Sequence, residues 1–209
     1  VYNVIGHGIS NEDGTEVWNT IEDNLVARAL FVLDPAAPNS GYSVNRNPND
    51  LSDRNEGSCF WFSNARNRLR RNVAVNCNGW GFDFDPIDLV AALPDEQGVL
   101  QPPIEVRTLP ILEFVDNEAH SSDYGGINVG NTNVGFVTPS GSSRLTRFLA
   151  WRNLFWGWYS ENAYGLVVED LTAPDATPDG AQTYSVFPYR GQEIRWRGVR
   201  FLTWYFTGK

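Results

Sequence analysis

The chain has 209 residues, of which 42% are hydrophobic, 13% are aromatic and 20% are charged, and its formal net charge at pH 7 is −9. This acidic balance argues against a general nucleic-acid-binding protein, which needs a basic surface, and no apolar run reaches the roughly 18 residues of a transmembrane helix. The 19 Gly and 12 Pro residues favour short strands joined by turns.

A weak five-residue motif recurs from one end of the chain to the other. It consists of an apolar residue, two polar residues, Asn and a further apolar residue, and it weakens towards the C-terminus. The clear copies are IEDNL (21–25), LRRNV (69–73) and FVDNE (114–118), and the degenerate copies are LTRFL (145–149), VEDLT (168–172) and WRGVR (196–200). Such internal repetition is typical of a solenoid, in which each repeat contacts its neighbours.

A glycine-containing element follows the motif at a fixed distance. It begins seven residues after Asn72, Asn117 and Phe148, as GWGF (79–82), YGGI (124–127) and FWGW (155–158), and GHGI (6–9) is the same element at the start. In that register Val1 lies two residues after an absent Asn position, so we expect the chain to start inside a coil. We therefore interpret it as a portion of a longer polypeptide, whose remainder or neighbouring subunits are its expected protein contacts.

These repeats predict an all-β fold, a right-handed parallel β-helix that forms one domain over residues 1–209. Asn suits the coil corners because it tolerates the left-handed region and its amide can bond to the next coil. Residues 34–58, 86–109 and 173–190 are expected to be loops, and DPIDLVAAL (85–93) a short helix with Asp85 as its N-cap. A β-sandwich or jelly roll is the alternative, although it leaves the paired motifs unexplained.

Superposing the glycine elements places residues from different coils in common rows. One row contains His7, Trp80, Gly125 and Trp156, the next outward row contains Ser10, Asp83, Asn128 and Tyr159, and a third contains Glu12, Asp85, Gly130 and Glu161. One further coil is expected between Glu12 and Asp85, so about 9–10 Å separates them. This is near the upper limit for the two carboxyl groups of an inverting glycoside hydrolase.

The rows define the candidate site residues. Candidate catalytic residues are His7, Glu12, Asp13, Asp83 and Asp85, and candidate substrate-binding residues are Arg54, Arg66, Arg68, Trp61 and Trp80. Arginines can orient the carboxylates of an acidic sugar, and exposed Trp rings can pack on the C–H face of a pyranose. Equally, these Trp residues and His7 can be core or stacking residues, and the acids can simply be solvated.

Asp13 and Glu16 are the candidate metal ligands. Carboxylate oxygens suit Ca²⁺, which is the one cofactor that the sequence suggests. Cys59 and Cys77 can form one disulfide or remain two free thiols, and the sequence does not decide between these states.

Three stretches resemble a known family. GHGISNEDGTEVWNTIEDNLV (6–26), CFWFSNARNRLRRNVAVNCNGWGFDFD (59–85) and PILEFVDNEAHSSDYGGINV (110–129) are similar, in order, to the parallel β-helix region of the cell migration-inducing and transmembrane hyaluronidases and the fibrocystin-like receptors. The resemblance covers roughly residues 1–130, and further coils are expected over 140–209. Its acidic motif is matched by Glu12, Asp13, Gly14, Glu16 and Asn19, and its corner histidine by His120.

The resemblance implies an extracellular or cell-surface module that acts on a polysaccharide or glycoconjugate, such as a hyaluronan-like acidic glycan, as a hydrolase or lyase. One departure concerns Asp83, which stands where the family tends to have an aromatic residue. A non-catalytic adhesive or structural module, in which the acids bind Ca²⁺ or are solvated, is the competing hypothesis.

Overall fold

The computed structural model describes residues 1–31, 57–131, 134–174, 184–189 and 193–201. Within these residues the chain passes in turn through three sheets, named A, B and C, and then returns to sheet A to begin another coil. All strand pairs within the three sheets are parallel. This confirms the predicted parallel β-helix and excludes the β-sandwich, whose sheets are antiparallel.

The strands are short, and each sheet takes one strand from each coil, except that the coil of β12 and β13 gives two strands to sheet C. Sheet A contains β1 (Tyr2–Ile5), β4 (Leu25–Leu30), β7 (Val73–Val75), β12 (Glu118–His120), β16 (Leu149–Trp151), β19 (Thr172–Ala173) and β22 (Arg200–Phe201). Sheet B contains β2 (Ile9–Asn11), β5 (Phe60–Phe62), β8 (Trp80–Phe84), β13 (Gly125–Val129), β17 (Trp156–Glu161) and β20 (Tyr184–Tyr189). Sheet C contains β3 (Thr20–Glu22), β6 (Arg68–Arg70), β11 (Glu113–Val115), β14 (Phe136–Val137), β15 (Ser143–Thr146), β18 (Ala163–Glu169) and β21 (Glu193–Arg197).

The corner from sheet C to sheet A is two residues long in each coil that the structure describes. Its first residue has a φ between 51° and 61°, in the left-handed region, and this position is filled by Asp23, Arg71, Asp116, Arg147, Asp170 and Gly198. Its second residue points inward, and this position is filled by Asn24, Asn72, Asn117, Phe148, Leu171 and Val199. The recurring sequence motif is therefore this corner, and all six copies lie in the predicted register.

The three inward asparagines form a hydrogen-bonded ladder along the helix axis. Asn72 Oδ1 accepts from the backbone N–H of Asn24 at 3.2 Å and from its Nδ2 at 3.0 Å. Asn117 Oδ1 accepts from the same two groups of Asn72 at 2.9 and 3.0 Å. Each amide thereby satisfies backbone groups that a buried corner would otherwise leave unpaired. In later coils Phe148 and Leu171 fill the position with apolar volume.

The left-handed corner residues form a second ladder, in which acids and arginines alternate. Arg71 contacts Asp23 at 2.7 Å, and Arg147 contacts Asp116 at 2.5 Å. The hydrogen bond from Arg147 holds the pKa of Asp116 below its usual value, and the hydrogen bond from Arg71 does the same for Asp23. The ladder is exposed, so each pair adds little stability on its own.

A continuous apolar core runs through the coils. Its centre is a group of phenylalanines, in which Phe60 stacks on Phe82 at 4.7 Å and Phe114 meets Phe82 and Phe148 edge-on at 5.2 and 5.4 Å. Cys59 and Cys77 are fully buried beside this core and form a disulfide, with 5.7 Å between their Cα atoms. This pairing answers the question that the sequence left open.

The segment expected to be helical over 85–93 is extended instead, so that prediction is wrong. Burial alternates along it, with the side chains at 87, 89, 91 and 93 turned towards the insertion and those at 88, 90 and 92 exposed, which is a strand period, and β9 (Val90–Ala91) pairs with β10 (Ile104–Glu105). Together with a 3₁₀ turn (Val106–Thr108) these strands form an insertion with a small core of its own. This core packs on Val17, in the loop that carries Glu12 and Asp13.

The other loop predictions fare differently. Residues 86–109 form an insertion between β8 and β11 as expected, but the prediction of a loop is partly wrong, because the insertion contains β9, β10 and the 3₁₀ turn. The predicted loop over 173–190 is partly wrong, because residues 184–189 form β20, which pairs with β17. The predicted loop over 34–58 lies almost entirely outside the described residues. In the described part of the chain, no helix has the length and apolarity needed to cross a bilayer.

Candidate functional site

The outward face of sheet B carries most of the candidate residues, in three rows that run along the helix axis. The ring row contains His7, Ser58, Trp80, Gly125 and Trp156. The middle row contains Ser10, Trp61, Asp83, Asn128 and Tyr159. The acid row contains Glu12, Ser63, Asp85, Gly130 and Glu161. These rows confirm the predicted register, including the intervening coil, which contributes Ser58, Trp61 and Ser63.

In the acid row, acids alternate with small residues. Glu12 and Asp85 are separated by Ser63, and Asp85 and Glu161 by Gly130. Two strand spacings of about 4.8 Å give about 9.6 Å between successive acids along the row. Ser63 and Gly130 place no bulky side chain between the carboxyl groups, although both residues are themselves buried. Inverting hydrolysis needs room for a sugar ring and a water molecule between its two acids.

The two aspartates on β8 and just after it are shielded from solvent. Asp83 is 3% exposed and accepts hydrogen bonds from Asn128 Nδ2 at 2.8 Å and Ser58 Oγ at 3.3 Å. Asp85 is 7% exposed and accepts one from Asn131 Nδ2 at 2.5 Å. An amide of the next coil therefore fixes the orientation of each carboxylate.

Glu12 and Asp13, in contrast, are exposed at the start of the loop that leaves β2. Glu12 lies in the acid row, whereas Asp13 is one residue beyond it. The structure therefore brings Glu12 and Asp85 onto one face and leaves Asp13 outside the row.

Glu16 acts in the structure through its backbone. Its carbonyl oxygen accepts from the side-chain amides of Asn11 at 2.6 Å, Asn64 at 2.9 Å and Asn67 at 3.3 Å. Within the described ranges, no group of three or more His, Cys, Asp or Glu side chains is placed to hold a metal ion. Asp13 and Glu16 thus form no such group.

His7 and Trp61 form a stacked pair, with ring centroids 5.0 Å apart and planes 7° from parallel. Trp61 is 1% exposed, so its ring offers no free face to a sugar, although its row points outward. Trp80 is 7% exposed and lies at the base of a larger aromatic cluster with Trp156 and Tyr159.

The arginines predicted to bind substrate are engaged elsewhere. The guanidinium carbons of Arg66 and Arg68 lie 4.9 and 5.7 Å from the ring of Trp18, and Arg68 also contacts Glu96 at 2.7 Å. These contacts tie the corner between sheets B and C to the insertion, and the indole of Trp18 bonds to Pro94 O at 2.8 Å. Arg54 lies outside the described residues.

His120, the corner histidine of the family resemblance, lies on sheet A, away from the acid row. Its ring stacks on Trp151 at 4.1 Å, and burial lowers the pKa of its imidazole. Glu118 accepts a hydrogen bond from the Trp151 indole at 2.7 Å. His120, Trp151 and Glu118 therefore form a packed cluster on the surface of sheet A.

A family model described as the CEMIP beta-helix matches residues 1–127. The chain belongs to this family. The match ends near β13, whereas the parallel β-helix of the structure continues in the same register through the later coils to residue 201. The suspected resemblance is thereby confirmed over the first 127 residues.

Two proteins of Dictyostelium discoideum are similar to this CEMIP beta-helix. Protein DDB_G0287365 is 29% identical over 132 residues, which is 59% of the chain and 12% of that protein. Protein rliB is 32% identical over 139 residues, which is 64% of the chain and 12% of that protein. The chain therefore spans about 12% of the length of the curated relatives it matches. No solved structure matches it.

Sequence reasoning overlooked several residues of this face. Asn131 was not identified as the partner of Asp85, and Glu161 was placed in the correct row but not chosen as a site residue. Tyr124 and Phe155 were likewise not selected. The register itself contained the signal, since each of these residues is one or two coils away from a chosen residue or from its neighbour in the chain.

Proposed function

We propose that this CEMIP beta-helix is a glycan-active module that acts on a polysaccharide or glycoconjugate at the acid row. One observation carries the proposal: Glu12 and Asp85 lie in the same outward row, two coils apart. The resulting spacing of about 9.6 Å is close to the upper limit for a general acid and a general base acting on opposite sides of a sugar ring.

The surroundings of the two acids support different roles. Asp85 is shielded and oriented by Asn131, so it is the better candidate for protonating the leaving oxygen. Glu12 is exposed, so a water molecule can reach it and be activated for attack. General acid–base catalysis of this kind contributes about 10²–10⁴-fold to a rate.

The proposal includes an extracellular or cell-surface location. The Cys59–Cys77 disulfide supports it, because such bonds persist in oxidising compartments.

A non-catalytic binding module is the second candidate function. It is favoured by the hydrogen bonds that Asp83 and Asp85 accept from Asn128 and Asn131 in the next coil. In this reading the acids complete a structural ladder, and the glycan is bound without being cleaved.

The test is reducing-sugar release from a glycan panel that includes hyaluronan and neutral polysaccharides, with and without EDTA. Glu12→Gln and Asp85→Asn are each expected to lower the rate by at least about 10²-fold. Asp88→Asn is the matched control, because Asp88 is an exposed acid of the insertion outside the acid row. Activity that persists in Glu12→Gln would remove Glu12 from the mechanism, and binding without cleavage by the wild type would favour the second function.

A further inference from the structure

Five aromatic rings cluster where the chain passes from sheet A to sheet B in three successive coils. We name this cluster the aromatic platform; it consists of Trp80, Tyr124, Phe155, Trp156 and Tyr159. Neighbouring ring centroids are 5.1–6.2 Å apart. The platform is therefore a contiguous aromatic surface built across the coils.

Gly125 makes the platform continuous. It lies between Trp80 and Trp156 in the ring row, and the two indoles stack above it at 5.5 Å. A Cβ at Gly125 would be 2.5 Å from the Trp80 ring and 2.6 Å from the carbonyl oxygen of Trp156. A larger residue there would force the two indoles apart.

The outer part of the platform is open to solvent. Tyr124 is 47% exposed, Phe155 is 42% exposed, and the adjoining Leu154 is 38% exposed. Trp80 beneath them is 7% exposed, so the rings form a supported surface. Contiguous exposed aromatic surface on a soluble fold commonly marks a binding site.

The platform adjoins the acid row. The hydroxyl of Tyr159 donates to Glu161 Oε2 at 3.2 Å, which links a platform ring to the third acid of the row. Among the described residues, the three outward rows of sheet B contain four acids and no Lys or Arg. A ligand bearing carboxylates would therefore meet like charge along this part of the face.

We propose that the aromatic platform is a subsite for an uncharged pyranose ring whose substituents are equatorial. Such a ring presents a flat face of axial C–H groups, which packs on the negative face of an aromatic ring. This inference rests on the proposed function, since it names the sugar class that binds beside the acid row. It departs from the sequence-based expectation of an acidic glycan held by arginines.

The test measures oligosaccharide binding by calorimetry in a Glu12→Gln background, so that cleavage does not interfere. The probes are neutral hexamers of β-1,4-linked glucose and N-acetylglucosamine, and a hexamer of galacturonic acid. Tyr124→Ala/Phe155→Ala is the platform variant. Tyr2→Ala is the control, because Tyr2 is 67% exposed but lies on sheet A.

At least one neutral hexamer is expected to bind, and the platform variant is expected to weaken its binding at least about tenfold, while Tyr2→Ala leaves it unchanged. Both platform substitutions are at exposed positions, and an unchanged unfolding midpoint confirms that the fold is intact.

Equal or tighter binding of the galacturonic acid hexamer would overturn the proposal, as would unchanged affinity in the platform variant. Absence of binding by every hexamer would overturn it too and would leave a protein partner as the occupant. The two proposals can fail separately. If binding depends on the platform but Glu12→Gln and Asp85→Asn cleave at the wild-type rate, only the catalytic role of the acid row is rejected.

Discussion

Substitution of Asn72 by Ala tests whether the asparagine ladder stabilises the coils. Asn72 is completely buried. Its side chain accepts from the backbone N–H of Asn24 at 3.2 Å and donates to Ile21 O at 2.8 Å. Alanine would leave both backbone groups without these partners. Both bonds are only part-buried, so water can replace them in part, and the free energy of unfolding should fall by about 1–3 kcal/mol.

Asn24→Ala is the matched control, because it is the same substitution at the exposed end of the same ladder. The Asn24 amide donates to Glu22 O at 2.9 Å, and water can replace that bond. Asn72 Oδ1 keeps its bond from the Asn24 backbone. The expected loss is therefore below about 1 kcal/mol. Urea unfolding followed by Trp fluorescence measures both variants. Similar losses in the two, or a loss below about 1 kcal/mol for Asn72→Ala, would refute the reasoning.

Two further predictions concern the disulfide and the charged corner ladder. The disulfide closes a sequence separation of 18 residues, so replacing Cys59 and Cys77 by Ala should lower the free energy of unfolding by about 3 kcal/mol. The midpoint of the double variant should then no longer respond to dithiothreitol, and unaltered stability would contradict this. The folded-state pKa of Asp116 is lowered by Arg147, so its contribution is complete above the ordinary pKa of 3.8 and is lost as pH falls through the lowered value. Asp116→Asn should thus lose less stability than the wild type on acidification in urea titrations, and an equal loss would count against the pairing.

Much of the fold was predictable because one corner never changes length in the described coils. The steps from Ile21 to Leu69 and from Leu69 to Phe114 differ in sequence length, yet all three residues lie side by side in sheet C. The motif around Asn24, Asn72 and Asn117 reveals that corner directly. Once the corners are aligned, the rows of sheet B follow.

Exposure within the rows was not predictable in the same way. Ser10 and Trp61 are adjacent in the middle row, yet Ser10 is exposed and Trp61 is 1% exposed. The register of a row predicts which side chains are neighbours. Their exposure to solvent depends on other segments that pack on the row from outside. The contacts of the arginines were not predictable either, because Arg66 and Arg68 pack on the ring of Trp18 rather than facing the acid row. The helix expected at 85–93 failed because the short apolar run at 89–93 fits a helix or a strand equally well, and pairing with β10 decides in favour of the strand.

Because the corner between sheets C and A has two residues in every described coil, the length of the other segments does not change how the strands stack. Between β5 and β6 the chain uses residues 63–67, and between β8 and β11 it uses residues 85–112, yet β11 stacks on β6 without slippage. A segment can therefore be gained or lost at the corner between sheets B and C while Glu12, Asp85 and Glu161 keep their spacing. Foreign loops can accordingly be grafted at this corner without changing the stacking of the coils.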